Sequence, residues 1–208
     1  FIPPPPPVEP PTPALPEATE NAVVRLQDDQ RERALLMDQF IRDGAQIRQP
    51  RLLARRITDL THRVTARQCL FFSYLPGVRA AVLVSVAGYP ESEKPPGMSF
   101  PVTAELEQRV QSHDGGLSTL SLKDFGPLRK LLLTGSTQSD YDAWLIPSPK
   151  DPTGRSKTQL LGVLVLMKGN DESDVARASD TEATIRELLR VSGQHYGEAI
   201  RGTPRPFP

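Results

Sequence analysis

The amino-acid sequence predicts an α+β fold in which helices pack on one antiparallel sheet. Two pairs of short apolar segments joined by turn residues predict two β-hairpins, one over 69–87 and one over 141–167. An apolar stripe at helical spacing over 51–67 predicts an amphipathic helix before the first hairpin. Because strands that come in hairpins pair antiparallel, the helices are expected to cover the faces of a single sheet.

Proline-rich segments flank the predicted domain. The first segment contains the consecutive prolines Pro3–Pro7, which favour an extended polyproline II spacer. A ligand for an SH3-like or WW-like groove is the alternative interpretation. The predicted organisation is a linker over 1–20, a connecting helix over 21–50, a folded α+β domain over 51–201 and a proline-rich tail over 202–208.

The segment between the hairpins mixes helix and strand signals. Helices are predicted over 103–112 and 128–133, with a short strand over 117–122. A last helix is predicted to start at Ser179, because Ser179 and Glu182 have the spacing of a capping box.

Helix residues at two places are predicted to contact a second copy of the chain or another protein. The apolar stripe of the 51–67 helix has spacings of four, three and four residues, which place it on one helix face. Two glycines in the last helix each weaken it by roughly 1 kcal/mol, which favours close packing of another helix there. The predicted partner face consists of Leu53, Ile57, Leu60, Val64, Gly193 and Gly197.

Charge and apolar content exclude several classes of partner. Lysine and arginine together number 25, as do aspartate and glutamate, so no global field attracts nucleic acid or an anionic membrane. The longest apolar segments, 80–87 and 160–167, are far shorter than the roughly 20 residues of a membrane-spanning helix. We therefore expect a cytoplasmic domain without nucleic acid or a membrane span in this segment. A tether to a membrane by residues outside the segment is left open.

The helical region 25–67 contains ten arginines and six acidic residues. One interpretation is that the arginines lie on solvated helix faces and pair with the carboxylates. The other is a docking face for an acidic protein partner. Binding of single-stranded nucleic acid would require aromatic side chains for stacking, and Phe40 alone lies nearby.

No arrangement of residues for catalysis or metal binding is predicted. His62, His113 and His195 lack the spacing of a helical metal pair, and surface or helix-end positions are expected for them. Cys69, the only cysteine, starts a strand, so a buried and inert thiol is expected. Asp142 is expected to point to solvent. The sequence therefore predicts a protein that is not an enzyme and has no cofactor.

Two segments of the second hairpin resemble the GAF family of sensor domains. Residues 143–149 read AWLIPSP and residues 161–166 read LGVLVL, with a polar turn between them. This is similar to the family's penultimate strand ending in proline and its Gly-Val-Leu last strand. The resemblance covers about residues 52–200. It implies a regulatory module with a ligand-facing segment between the hairpins and dimerisation through the helices.

The resemblance also implies a ligand site on the segment between the hairpins. Met167-Lys168-Gly169 matches the family's cyclic-nucleotide motif only in part, and Cys69 does not match the bilin-binding cysteine. A nucleotide-like small ligand and a ligand-free structural adaptor are therefore both retained as hypotheses. Leu106 and Leu131 are further candidate lining residues, and such apolar side chains also suit a filled core. The predicted ligand residues are Phe100, His113, Asp114, Phe125 and Tyr141.

Overall fold

The computed structural model describes residues 17–112, 126–133, 141–149, 157–167 and 175–202, with side chains placed except at 17–26, 29 and 175–181. The chain divides into two units, 1–36 and 37–208. The helices are α1 (Glu17–Gly44), α2 (Pro50–Thr65), α3 (Ala104–Ser112), α4 (Gly126–Leu133) and α5 (Val175–Gly202). The strands are β1 (Cys69–Leu75), β2 (Ala80–Ala87), β3 (Ser99–Pro101), β4 (Tyr141–Pro147) and β5 (Leu160–Met167), and a 3-10 turn covers Glu91–Glu93.

The five strands form one sheet in the order β3-β2-β1-β5-β4, and every neighbouring pair is antiparallel. This confirms the predicted fold class and both predicted hairpins. At the centre of the sheet, Phe71 lies opposite Ser85 on one side and Leu164 on the other. Val84 is an extra residue in β2, since Phe71 pairs with Ser85 and Phe72 with Leu83. Because of this β-bulge, Leu83 and Ser85 lie on opposite faces of the sheet, as their partners Phe72 and Phe71 do.

The apolar stripe of α2 packs against the chain's own sheet and α5. Pro50 begins the helix, and Ala66 ends it in a left-handed conformation with φ 54°. Leu53 and Ile57 are completely buried, and Leu60 and Val64 are 7% and 4% exposed. Since these four residues form part of the core, they leave no surface for a second chain. The predicted partner face on this stripe is corrected accordingly.

The two glycines of α5 also face the chain's own sheet. A Cβ at Gly193 would lie 2.8 Å from the Pro147 carbonyl oxygen, and one at Gly197 would lie 3.3 Å from atoms of Leu161 and Pro149. The close neighbours are therefore the end of β4, Pro149 after it and the start of β5, and the expected neighbouring helix is wrong. The helix α5 also begins at Val175, so Ser179 lies inside it and does not cap it.

We expect Gly193→Ala to destabilise the fold by about 1–3 kcal/mol, although alanine is the better helix former. The added methyl group would meet a backbone oxygen at 2.8 Å, which only a backbone shift can relieve. Gly197→Ala is the matched control because its methyl group meets side-chain atoms, and it should change stability by less than about 1 kcal/mol. Urea unfolding of both variants decides the matter. Equal stabilities would contradict the steric explanation.

The sequence prediction missed β3. Its three residues include Pro101, and so short a segment carries no alternating pattern. The strand exists because Phe100 pairs with Ala81 and inserts its ring into the core. The strand predicted over 117–122 lies outside the described residues.

Candidate functional site

The face of the sheet covered by α3 and α4 is the candidate ligand-binding face, since the resemblance placed the ligand there. Phe72 of β1 contacts Phe100 of β3 edge to face, with ring centroids 5.1 Å apart. This face carries one continuous apolar cluster. Its buried members are Leu70, Phe72, Tyr74, Ala81, Phe100, Val102, Leu106, Val110, Leu128, Tyr141, Ala143, Leu145, Leu160, Val163 and Val165.

The structure brings two of the predicted ligand residues together in this cluster. Phe100 is 2% exposed and Tyr141 is 5% exposed. Leu106 belongs to the same cluster, and Leu131 packs against it while partly buried. The other three predicted ligand residues, His113, Asp114 and Phe125, lie outside the described residues. The cluster is therefore an aromatic and aliphatic layer that the side chains themselves fill.

A polar group at the margin of this cluster holds α3 to the first hairpin. The Tyr74 hydroxyl donates a hydrogen bond to Glu107 Oε1, and Arg79 Nε lies 3.7 Å from Glu107 Oε2. Burial, followed by the neighbouring Glu107 carboxylate, raises the pKa of Tyr74 to about 12. Tyr74 therefore remains a neutral donor at physiological pH. Sequence patterns gave no signal for this group, because its members come from a strand, a turn and a helix.

The opposite face of the sheet is covered by α2 and α5. Phe71 contacts Tyr196 of α5 edge to face, with ring centroids 5.0 Å apart. The Tyr196 hydroxyl donates to Ser73 Oγ at 2.9 Å, and Thr58 of α2 bonds Ser85 of β2 at 2.7 Å. These hydroxyl pairs, one buried and one partly buried, fix both helices in register with the sheet.

The Arg67 side chain joins the segment before β1 to strands β4 and β5 at one end of the sheet. Its guanidinium donates to the Met167 carbonyl at 2.9 Å and to Asp142 Oδ2 at 2.8 Å. Asp142 is therefore paired and half-buried, where the sequence interpretation expected it to point to solvent.

The Cys69 thiol and the His62 ring both bond the Arg67 carbonyl oxygen, at 3.1 and 2.9 Å. Burial raises the pKa of the Cys69 thiol to about 12. Since the thiolate is the reactive form, this cysteine is protonated and unreactive at neutral pH.

His195 of α5 is buried against the last turn of α1, so the surface position expected for it is wrong. Its ring lies edge to face against Phe40, with centroids 5.9 Å apart, and a Cβ at Gly44 would lie 2.8 Å from its Cδ2 atom. Within the described part of the chain, neither ring nitrogen makes a hydrogen bond of standard geometry, and the Ile41 backbone is only a weak neighbour of the ring. Burial lowers the pKa of His195, and Glu198 and the Ile41 backbone oppose this shift.

We expect His195 to make the fold less stable as the pH falls below about 6.5, the usual pKa of histidine. The folded state holds the ring neutral, so the unfolded state binds the proton more readily. Stability from this group is complete above that pH and is lost toward acid, by at most about 1.4 kcal/mol per pH unit.

Urea unfolding between about pH 5 and pH 8 measures this dependence. His195→Leu should flatten the acid side of the curve, and His62→Gln serves as the variant that removes a histidine elsewhere in the fold. Parallel curves for wild type and His195→Leu would show that another group is responsible.

Among the described residues, no group of three or more histidine, cysteine, aspartate or glutamate side chains is arranged to hold a metal ion. In the same part of the chain, no helix is both long enough and apolar enough to cross a membrane.

Comparison with known proteins gives a structural match only. No protein-family profile and no curated protein matches the sequence. The fold is similar to the GAF domain of an Acinetobacter phosphoenolpyruvate-protein phosphotransferase, with a TM-score of 0.54 and 10% identity over 82% of this chain and 96% of that domain. A phycocyanobilin-bound GAF domain from a cyanobacterial phytochrome matches with a TM-score of 0.43 and 16% identity, over 75% of this chain and 92% of that domain. The chain therefore has a GAF-like fold, as the resemblance in the second hairpin predicted.

Proposed function

We propose that this chain is a cytoplasmic regulatory module that acts by binding and not by catalysis. It takes a small ring-bearing ligand, of nucleotide-like size, on the α3–α4 face of its sheet. The observation that supports this is the aromatic content of that face, where Phe72, Phe100 and Tyr141 lie in one cluster. The helices α2 and α5 occupy the other face.

A ring-bearing ligand suits the chemistry of this face. Aromatic side chains offer flat surfaces on which another ring stacks or contacts edge to face. At the margin, the Arg79 side chain is 65% exposed, so an anionic part of the ligand would compete with Glu107 for its guanidinium. Because Phe100 is 2% exposed, α3 or α4 must move outward for a ligand to reach the rings.

The proposal of a non-catalytic module is supported by the state of the described nucleophiles and bases. The Cys69 thiol has a pKa raised to about 12 and bonds a backbone carbonyl. His62 bonds the same carbonyl, and His195 is buried under α1. No pair of these groups has the arrangement of a nucleophile and its activating base.

Thermal unfolding with added ligand tests the proposal. The probes are cyclic mononucleotides, cyclic dinucleotides and haem. A ligand at about 100 times its Kd stabilises the folded state by about 2.7 kcal/mol, which raises the Tm measurably. Each probe is added at about 1 mM, which detects ligands with a Kd of about 1 mM or tighter. An unchanged Tm with every probe contradicts binding of these ligand classes.

A matched pair of variants locates the ligand. Phe71 and Phe72 are consecutive, both are completely buried, and they face opposite sides of the sheet. Phe72→Leu should raise the Kd of the ligand about tenfold or more, which corresponds to a loss of about 1.4 kcal/mol in binding free energy. Phe71→Leu removes a ring of the same size from the α5 side and should leave the Kd unchanged at a temperature where both variants are folded. Equal loss from both would place the ligand elsewhere.

A ligand-free structural adaptor is the second candidate, and the burial of Phe100 and Tyr141 favours it. Both rings are at most 5% exposed, as residues of a filled core are. In that case the module acts through protein partners on its exposed helix faces. The two candidates differ in the ligand titration, because the adaptor shows no Tm change.

A further inference from the structure

The solvent-facing side of α2 is rich in arginine. Its residues are those on the opposite side of the helix from the buried stripe, at 100° per residue. We call this surface the outer face of α2. It consists of Arg51, Leu52, Arg55, Arg56, Asp59 and Arg63, and Arg48 precedes it by one turn.

The outer face carries an uncompensated positive charge. Residues 48–65 contain five arginines and one acidic residue. That residue, Asp59, lies 3.9 Å from Arg55, with both side chains largely exposed. Within the described residues, no ion pair is formed by Arg51, Arg56 or Arg63. The predicted pairing of these arginines with helix carboxylates is therefore limited on α2 to Arg55 with Asp59.

On two other helices of the chain, arginines pair with carboxylates of the same helix. On α1, Arg42 pairs with Asp38 at 2.8 Å, and on α5, Arg186 pairs with Glu182 at 2.7 Å. Each pair joins residues four apart on one helix. The chain as a whole has a net charge of zero, so the excess on α2 is a local feature.

An exposed leucine lies among these arginines. Leu52 is 51% exposed, and residues 52, 55 and 56 are neighbours on the helix surface. A single exposed leucine is ordinary, but here it lies within the reach of several guanidinium groups. The helix has 16 residues, about 24 Å at 1.5 Å per residue, which is long enough for several turns of a partner segment.

We propose that the outer face of α2 docks an acidic polypeptide helix, whose carboxylates bind the arginines and whose apolar side chain packs on Leu52. Arginine suits this partner because its planar guanidinium binds carboxylates with two hydrogen bonds. The inference rests on the proposed function in one respect, since this docking face would provide the regulatory module with a protein partner. It uses the face of α2 that points away from the sheet.

Two other occupants fit less well. A symmetric pair of chains joined through this face would place arginine against arginine. Single-stranded nucleic acid would use stacking aromatic residues, and the outer face contains none. Charge complementarity therefore favours an acidic polypeptide.

The probe is a labelled synthetic helical peptide with glutamates flanking one leucine, titrated with the full chain by fluorescence anisotropy. We expect saturable binding that weakens about tenfold between about 50 and 300 mM salt, since exposed charges are screened over that range. The double variant Arg51→Gln/Arg56→Gln should weaken binding about tenfold or more. The matched control is Arg186→Gln/Arg190→Gln on α5, which removes two arginines that are already paired and should leave the Kd unchanged.

Three results would overturn the inference. They are no saturable binding up to about 1 mM peptide, equal weakening by both double variants, and competition by an oligothymidine as strong as that by unlabelled peptide. The titration contains no small ligand, and the Arg51→Gln/Arg56→Gln variant should keep any ligand-induced rise in Tm. Failure of the docking inference is thus distinguishable from failure of the proposed ligand function.

Discussion

Ile57→Ala is expected to lower the free energy of unfolding by about 2–5 kcal/mol, as truncation of buried aliphatic side chains does. Ile57 is completely buried on the face of α2 that packs on the sheet. Removing three carbon atoms there loses apolar burial and leaves a cavity. Since whole domains have stabilities of about 5–15 kcal/mol, the variant should be close to unfolding at 37 °C.

Chemical denaturation of the wild type and two variants on the same helix measures this effect. Leu52→Ala is the control, because Leu52 is 51% exposed on the outer face of α2. It should change stability by no more than about 0.5 kcal/mol. Similar losses from both variants would show that α2 is buried on both sides, and would also count against the docking of a partner on its outer face.

Gly162→Ala is expected to destabilise the fold by about 3 kcal/mol, the upper part of the usual range for overpacking a core. A Cβ at this position of β5 would lie 2.6 Å from the Phe72 carbonyl oxygen and 3.2 Å from Phe71 Cζ. The first contact is with backbone in the central strand pair, so β1 and β5 would have to separate locally.

Gly77→Ala is the control for this substitution. Gly77 lies in the turn after β1, and a Cβ there would meet nothing within 4 Å. Its backbone is not in the left-handed region, so alanine should be neutral or should stabilise the fold by up to about 1 kcal/mol. Urea unfolding curves of both variants test the contrast. A stable Gly162→Ala variant would mean that β1 and β5 tolerate a wider spacing.

Patterns local in sequence predicted most elements of the described fold. The short apolar segments and turn residues around 69–87 and 141–167 predicted both hairpins, and the apolar stripe on α2 predicted its buried face. The length of α5 was underestimated, because a capping-box spacing at Ser179 also occurs inside a helix.

Tertiary contacts decided what the sequence prediction missed. The partner-face prediction failed because an apolar stripe looks the same whether it meets a sheet of its own chain or another molecule. His195 was placed at the surface because nothing in the sequence indicates that Phe40 and Gly44 cover it. Phe100 and Tyr141, which the resemblance placed among the ligand residues, do lie in one cluster, although the strand that carries Phe100 was not predicted.

The alternation of side chains along β1 has a mechanical consequence. Phe71 contacts Tyr196 on one face of the sheet, and Phe72 contacts Phe100 on the other. A single peptide bond separates the two rings that make these contacts. Any rotation of β1 about its own axis moves the two rings in opposite directions, because successive strand residues project from opposite faces. The packing of α5 on one face and the apolar cluster under α3 and α4 on the other therefore cannot change independently at this position.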